Sequence, residues 1–263
     1  MIEWNDEQQM VRAAVRDFIE KELVPHHRDL EHGDLRPYDI IRKLFSTFGM
    51  DAMARDRFAR QIARDKDPDA ARTDEGAEGH DPQEAANAAA FQIIPIIELS
   101  RWSPGMVTAM GVSMGLTAAA ILSRGTVAQK ERWALPLLTM EKIGAWAITE
   151  PGSGSDAFGS MRSTARRDGD EYVLNGSKTF ITNGLRAHYI VLVTKTDPDA
   201  GHDGLTLFVV DIRDENGKEV EGFSVSRKLE KMGMHASDTG ELTFEDVRIP
   251  AENMLGEEGK GFY

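Results

Sequence analysis

Apolar residues recur at helical spacing through the first half of the chain and in short strand-like runs through the second. Val11, Ala14, Val15, Phe18, Ile19 and Leu23 make one stripe, with Asn5 placed as its N-cap. Ile40, Ile41, Leu44, Phe45 and Phe48 predict a second helix, stopped by Gly49. Ala85 to Trp102 predicts a third, kinked or interrupted at Pro95, and Gly105 to Leu122 and Val127 to Leu138 predict two more. Between them, Arg64 to Pro82 is crowded with Asp, Glu, Arg, Gly and Pro and shows no period, which predicts a solvated loop.

The pattern changes near residue 143. Trp146–Thr149 leads into Pro151-Gly152, and Ser163–Arg167 and Tyr172–Leu174 flank Asp168-Gly169-Asp170, a hairpin signal. Thr179–Thr182 ends at Asn183-Gly184, Tyr189–Thr194 is almost continuously apolar, and Leu205–Ile212 follows a loop at Asp197–Gly204. Phe223–Ser226 and Glu241–Val247 complete the series before Ile249-Pro250. Closely spaced strands without intervening helices predict an antiparallel sheet or barrel rather than a parallel nucleotide-binding sheet. The expected fold class is α+β, with an all-α domain over 1–142 (64–82 a charged loop or insertion), an antiparallel β-barrel over 143–250, and a linker over 251–263.

Composition narrows the chemistry. At 263 residues the chain has room for one large domain or two modest ones. Its formal charge of −13 argues against a nucleic-acid or anionic-membrane partner. The lack of cysteine removes disulfides, thiolate metal sites and cysteine nucleophiles, and fits a reducing, cytoplasmic location. The amino terminus is acidic and has no apolar core of the signal-peptide kind. Gly105 to Leu122 is shorter than the ~20 apolar residues a span needs and is interrupted by Gly and Ser, so it reads as a buried core helix of a soluble protein.

Few motifs carry chemistry by themselves. Gly152-Ser153-Gly154-Ser155-Asp156-Ala157 has the G-x-G-x-x-A form, with Glu171 near the spacing of a ribose-binding acid. A dinucleotide turn must open a helix, however, and Ala157 to Leu174 reads as extended. The same residues make a turn dense in hydroxyls and unhindered amides, suited either to a phosphate or planar ring or to a plain surface connection. On the preceding strand Trp146 and Ile148 share one face, while Ala147 and Thr149 point the other way. Lys178-Thr179-Phe180-Ile181-Thr182-Asn183-Gly184 sets an aromatic beside two hydroxyls. It reads as a flavin or nucleobase wall, or as an ordinary half-buried strand ending in a type I′ turn. His26 and His27 face different ways and make a poor metal pair.

Taken together, three ordered blocks resemble the acyl-CoA dehydrogenase family of flavoproteins. They are Ala147-Ile148-Thr149-Glu150-Pro151-Gly152-Ser153-Gly154-Ser155-Asp156, then Asn175 to Gly184, then Lys231 to Pro250 with Asn253-Met254-Leu255-Gly256. The resemblance implies an α-helical domain, a central β-barrel and a carboxy-terminal four-helix bundle. It also implies FAD as cofactor, an acyl-CoA thioester desaturated between Cα and Cβ, and an electron-transfer-flavoprotein-type acceptor. By similarity, Trp146, Ile148 and Thr149 line the flavin, and Gly154 and Ser155 lie near its pyrophosphate. Ser155 also reaches toward the substrate thioester. Phe180, Ile181 and Thr182 cover another part of the ring, with Thr182 at N5.

Three departures from the family follow. Phe180 stands where relatives often have Trp, 64–82 looks inserted, and the four-helix bundle with its catalytic glutamate has no positions in this sequence. No catalytic residue is therefore assigned, and Glu150 is not promoted to that role. The expected activity is acyl-CoA dehydrogenation by a longer, homo-oligomeric (tetrameric or dimeric) parent, of which this chain is a fragment inactive alone. The alternatives are a non-catalytic binding or assembly subunit completed by a partner, and an acyl-CoA oxidase or flavin monooxygenase on the same fold.

Overall fold

A computed structural model describes residues 3–67 and 82–262. The chain divides into two compact units, Met1–Thr108 with Lys231–Ser237, and Ala109–Glu230 with Asp238–Tyr263.

The first unit is helical. Helix α1 (Asp6–Glu22) starts on a capping box: the Asn5 side chain accepts from the Gln8 amide at 2.9 Å, and the Gln8 side chain accepts in return from the Asn5 amide at 3.1 Å. Its predicted stripe supplies Val15, Phe18 and Ile19 to the core. Helices α2 (His27–His32) and α3 (Tyr38–Thr47) follow, and α3 buries Ile40, Ile41, Leu44 and Phe45, the expected apolar set.

Helix α4 (Met50–Lys66) was not legible, because it buries only Phe58 and Ile62 and the rest is charged and polar residues, alanines and two methionines without a stripe. It takes in the first residues of the expected loop, and residues 68–81 lie outside the described residues. Helix α5 (Pro82–Ser100) runs through Pro95 without ending there. The segment Lys231–Ser237 belongs to this helical unit. The His235 amide donates to Glu31 Oε2 at 2.9 Å, and Lys231 Nζ donates to the Met234 carbonyl at 2.9 Å and to Ser237.

The second unit joins short helical segments to a sheet. Helix α6 (Pro104–Arg124), which belongs to this unit from Ala109 onward, begins as α-helix, becomes π-helical over Val112–Ala118 and returns to α-helix. It is longer than the sequence pattern suggested and meets the length and apolarity of a membrane span. One of its faces is spent on the sheet. Ser113 Oγ accepts from the Gly144 amide at 3.0 Å, and a Cβ at Gly144 would lie 2.8 Å from Thr117 Cγ2. Only glycine lets helix and strand approach that closely. Leu116 and Gly115 are exposed on the other face, so the helix is half-buried rather than the buried core helix expected. Helix α7 (127–138) completes the segment and buries Trp133, whose indole donates to Asp211 at 3.1 Å.

The strands are β1 (Gly144–Ala147), β2 (Thr164–Asp168), β3 (Glu171–Thr182), β4 (Tyr189–Lys195), β5 (Leu205–Asp211), β6 (Phe223–Lys228), β7 (Thr239–Pro250) and β8 (Met254–Leu255). Their order is β6-β7-β3-β2-β4-β5-β8, with β1 beside β4. The order is open at β6 and β8, but Ala147, Leu174, Ile190, Phe208, Phe223 and Phe244 share one buried cluster, as the inner face of a barrel would.

Two pairings are parallel, β1 with β4 and β2 with β4, and the others are antiparallel as expected. The chain between β1 and β4 is long enough to make the crossover that parallel strands need. The Asp168–Glu171 hairpin is present. Tyr172–Leu174 and Thr179–Thr182, expected as separate runs, are one strand with register shifts at 174/176 and 178/181. At the first shift Gly176 takes φ +147°, and a Cβ there would lie 2.2 Å from Ser163 Oγ.

Candidate functional site

The turn after β1 and the far end of β3 meet within the second unit. Ala145 and Ala147 point into the core, leaving Trp146 and Ile148 half-buried on the opposite face, as strand alternation requires. Thr149, next along, is also half-buried. The Thr179 amide donates to the Thr149 carbonyl at 2.8 Å, and Lys178 Nζ donates to the Ile148 carbonyl at 3.1 Å. Trp146–Thr149 and Lys178–Thr182 are thus held side by side by one main-chain bond and one bond from the lysine side chain.

The second register shift in β3 shapes the surface between them. Lys178 pairs with Leu242 and Ile181 with Gly240, so Thr179 and Phe180 are looped out of the β3–β7 ladder. Phe180 adopts φ +58° and turns its ring outward, 68% exposed. Thr182, opposite Thr239, is half-buried. Ile181 is 2% exposed and packs in the sheet core, so its side chain is not part of a ring-covering wall and only its main chain can face a ligand.

Gly154 and Ser155 are exposed in the Pro151–Asp156 turn, and Gly154 has open space where a side chain would project. The turn is closed by reciprocal Glu150–Ser153 backbone hydrogen bonds of 3.0 Å and by Ser153 Oγ donating to the Asp156 carbonyl at 2.7 Å. A helical turn, Ala157–Ser160, follows where an extended segment was expected, with Ser160 Oγ donating to Asp156. One turn is too short to supply the dipole of a dinucleotide-binding helix, so the Rossmann reading still fails.

Two features beneath this surface were missed. Lys178 is fully buried and pairs with Glu150 Oε1 at 2.9 Å; Glu150 also accepts from the Arg162 amide at 2.7 Å and the Ser163 amide at 2.9 Å. Burial pulls the Lys178 ammonium down to about 8, although the Glu150 charge opposes that shift. Burial pushes the Glu150 carboxyl up, but the Lys178 charge and the amides of Ser163 and Arg162 outweigh it and leave the carboxyl below its ordinary value. Glu150 is therefore an ionised, fully engaged anchor.

The second is Asn183, read as a turn residue. It has φ +65°, but Gly184 does not follow it into that region, so the turn is not type I′. Its buried Nδ2 donates to the carbonyls of Ala109 and Gly144, both at 2.9 Å, and its amide donates to the Asp238 carbonyl at 3.0 Å. A lysine inside an alternating strand and an asparagine before glycine were the available signals. Among the described residues no group of His, Asp or Glu is placed to hold a metal ion.

Comparison with known proteins finds relatives over nearly the whole chain. Residues 5–56 match the acyl-CoA dehydrogenase N-terminal domain and residues 145–247 the acyl-CoA dehydrogenase middle domain. The short-chain specific acyl-CoA dehydrogenase of Megasphaera elsdenii is 35% identical over 257 residues, covering 98% of this chain and 60% of that protein. The structure of butyryl-CoA dehydrogenase from M. elsdenii superposes with a TM-score of 0.76 at 34% identity, covering 100% of this chain and 61% of the other. An acyl-CoA dehydrogenase from Bacillus anthracis, complexed with FAD, gives 0.74 at 29% identity over 98% of this chain and 38% of its own. The chain thus spans about 60% of the length of the M. elsdenii protein. With both matched domains in order and 35% identity to a relative over 98% of the chain, the chain belongs to the acyl-CoA dehydrogenase family.

Proposed function

We propose that this chain forms the flavin-binding part of an FAD-dependent acyl-CoA dehydrogenase. The observation that carries the reading is the hydrogen-bonded junction of Trp146–Thr149 with Lys178–Thr182, two segments that carry an outward aromatic ring and half-buried hydroxyls. These residues fit the group. Phe180 offers a planar apolar face, Thr149 and Thr182 offer hydroxyl donors, and Gly154 and Ser155 offer an unhindered turn for a pyrophosphate. When bound, FAD supplies the two-electron acceptor for the hydride leaving Cβ of an acyl-CoA thioester.

The residues of this chain bind and tune that acceptor. Trp146 and Ile148 line it, and the main chain near Ile148 with the Thr149 hydroxyl provides hydrogen-bond donors at the edge where charge builds on reduction. Thr182 would donate toward N5, the main chain of Ile181 would complete that wall, and Ser155 would reach toward the thioester. Glu150 does not remove the α-proton, because its carboxylate is buried and committed to Lys178, Arg162 and Ser163. We assign the proton-abstracting glutamate to a position outside these 263 residues, and electrons to an electron-transfer-flavoprotein-type acceptor. The working assembly is proposed to be a homo-oligomer.

Titrating the purified chain with FAD while following flavin fluorescence tests the reading. Saturable quenching at one flavin per chain, weakened by Thr149→Ala, is expected. A flat titration contradicts it.

A further inference from the structure

The buried Lys178–Glu150 pair has a reach that a purely structural ion pair does not need. Lys178 leaves β3 at the residue where its register with β7 breaks, and its ammonium crosses to β1's continuation to donate to the Ile148 carbonyl. The same ammonium grips Glu150 Oε1, and the two carboxylate oxygens of Glu150 hold the amides of Arg162 and Ser163. One contiguous set of hydrogen bonds therefore fixes three main-chain segments: the strand end at Ile148, the start of the glycine turn at Glu150, and the approach to β2 at Ser163. The adjacent Thr179 amide adds the bond to the Thr149 carbonyl. An apolar pair could fill the same volume more cheaply, since burying two charges costs about as much as their attraction returns. What an apolar pair could not do is pin a carbonyl and two amides at once.

We propose that Lys178 and Glu150 are positioning residues for the flavin, locking the Trp146–Thr149 wall, the glycine turn and the bulged Phe180 wall at one fixed spacing. This rests on the flavin-binding reading above. The pair touches no ligand itself. It sets the place from which the Thr149 hydroxyl, the turn amides and the Phe180 ring act.

The test compares the unaltered chain with the double variant Lys178→Met/Glu150→Gln, which removes both charges together, leaves no unpaired buried charge, and breaks the bonds to the Ile148 carbonyl and to one of the two amides. Three quantities are measured: apoprotein melting temperature, FAD affinity, and the visible circular dichroism of bound flavin. A fold kept within a few degrees, an FAD dissociation constant raised at least about tenfold, and a diminished flavin dichroism are expected. A folded double variant that binds FAD with unaltered affinity and dichroism overturns the proposal while leaving the flavin reading intact. An unaltered chain that fails to bind FAD overturns both.

If the double variant does not fold, amide hydrogen exchange on the unaltered chain decides. Saturating FAD is then expected to slow exchange at Arg162, Ser163 and Thr179 at least about tenfold, relative to Leu192 in the sheet core. No change at those three amides overturns the proposal.

Discussion

Phe180 holds a backbone angle of φ +58° while exposing most of its ring. For a bulky L-residue this left-handed conformation costs about 1–2 kcal/mol, and nothing in the core repays it, since Ile181 beside it is the residue that packs inward. Strain of this kind persists where it serves a site. Phe180→Gly should therefore leave the melting temperature unchanged or slightly raised while weakening FAD binding several-fold; a large loss of thermal stability would show that the ring is structural. The aromatic between two threonines was legible in the sequence, but its outward turn was not. Lys-Thr-Phe-Ile-Thr has the composition of an ordinary strand, and the bulge arises from register against β7, a partner far along the chain. Lys178 was obscured for the same reason, because its counter-charge Glu150 lies 28 residues away.

Between elements, buried polar links do the joining. Glu98 on α5 is 2% exposed and is held by Arg12 at 2.5 Å and Arg16 at 2.8 Å from α1, and by Arg101 at 3.1 Å. Burial pushes its carboxyl up, but hydrogen bonds and charge from Arg16, Arg12 and Arg101 reverse that and bring it to about 2. A carboxyl depressed from its ordinary 4.5 contributes stability that is whole above that value and is lost as pH falls toward 2. Glu98→Gln should thus lower stability at neutral pH by on the order of 2 kcal/mol, the figure being reduced because the arginines are partly exposed. It should also flatten the acid limb of the stability curve between 4.5 and 2, readable by urea unfolding at stepped pH; an unaltered acid limb would contradict the assignment.

In the sheet unit, Asn183→Gly keeps the backbone conformation but removes the bonds to Ala109 and Gly144. A loss of about 2 kcal/mol is expected from two buried carbonyls left without that donor, measured by the same unfolding curves. The amphipathic helices α1 and α3 were readable from period alone. Helix α4 was not, having too little apolar surface to show a stripe, and the parallel β1–β4 pairing was not, because a strand's direction relative to its neighbour leaves no trace in composition.

Across the molecule, a helical unit and a mostly antiparallel sheet unit follow the change of period near residue 143, although the compact division places 109–142 with the sheet and Lys231–Ser237 with the helices. That exchange comes from tertiary packing, such as Ser113 and Thr117 against Gly144, which hydrophobic period does not encode. The candidate site was legible as motifs and as a family resemblance; the buried Lys178–Glu150 pair beneath it required the fold. The most direct measurement of the central claim is the crystal structure of this chain with FAD. The isoalloxazine ring is expected against Thr149 and Thr182 with the Phe180 ring at its face. Density for the ring elsewhere on the molecule, with those three residues open to solvent, would contradict it.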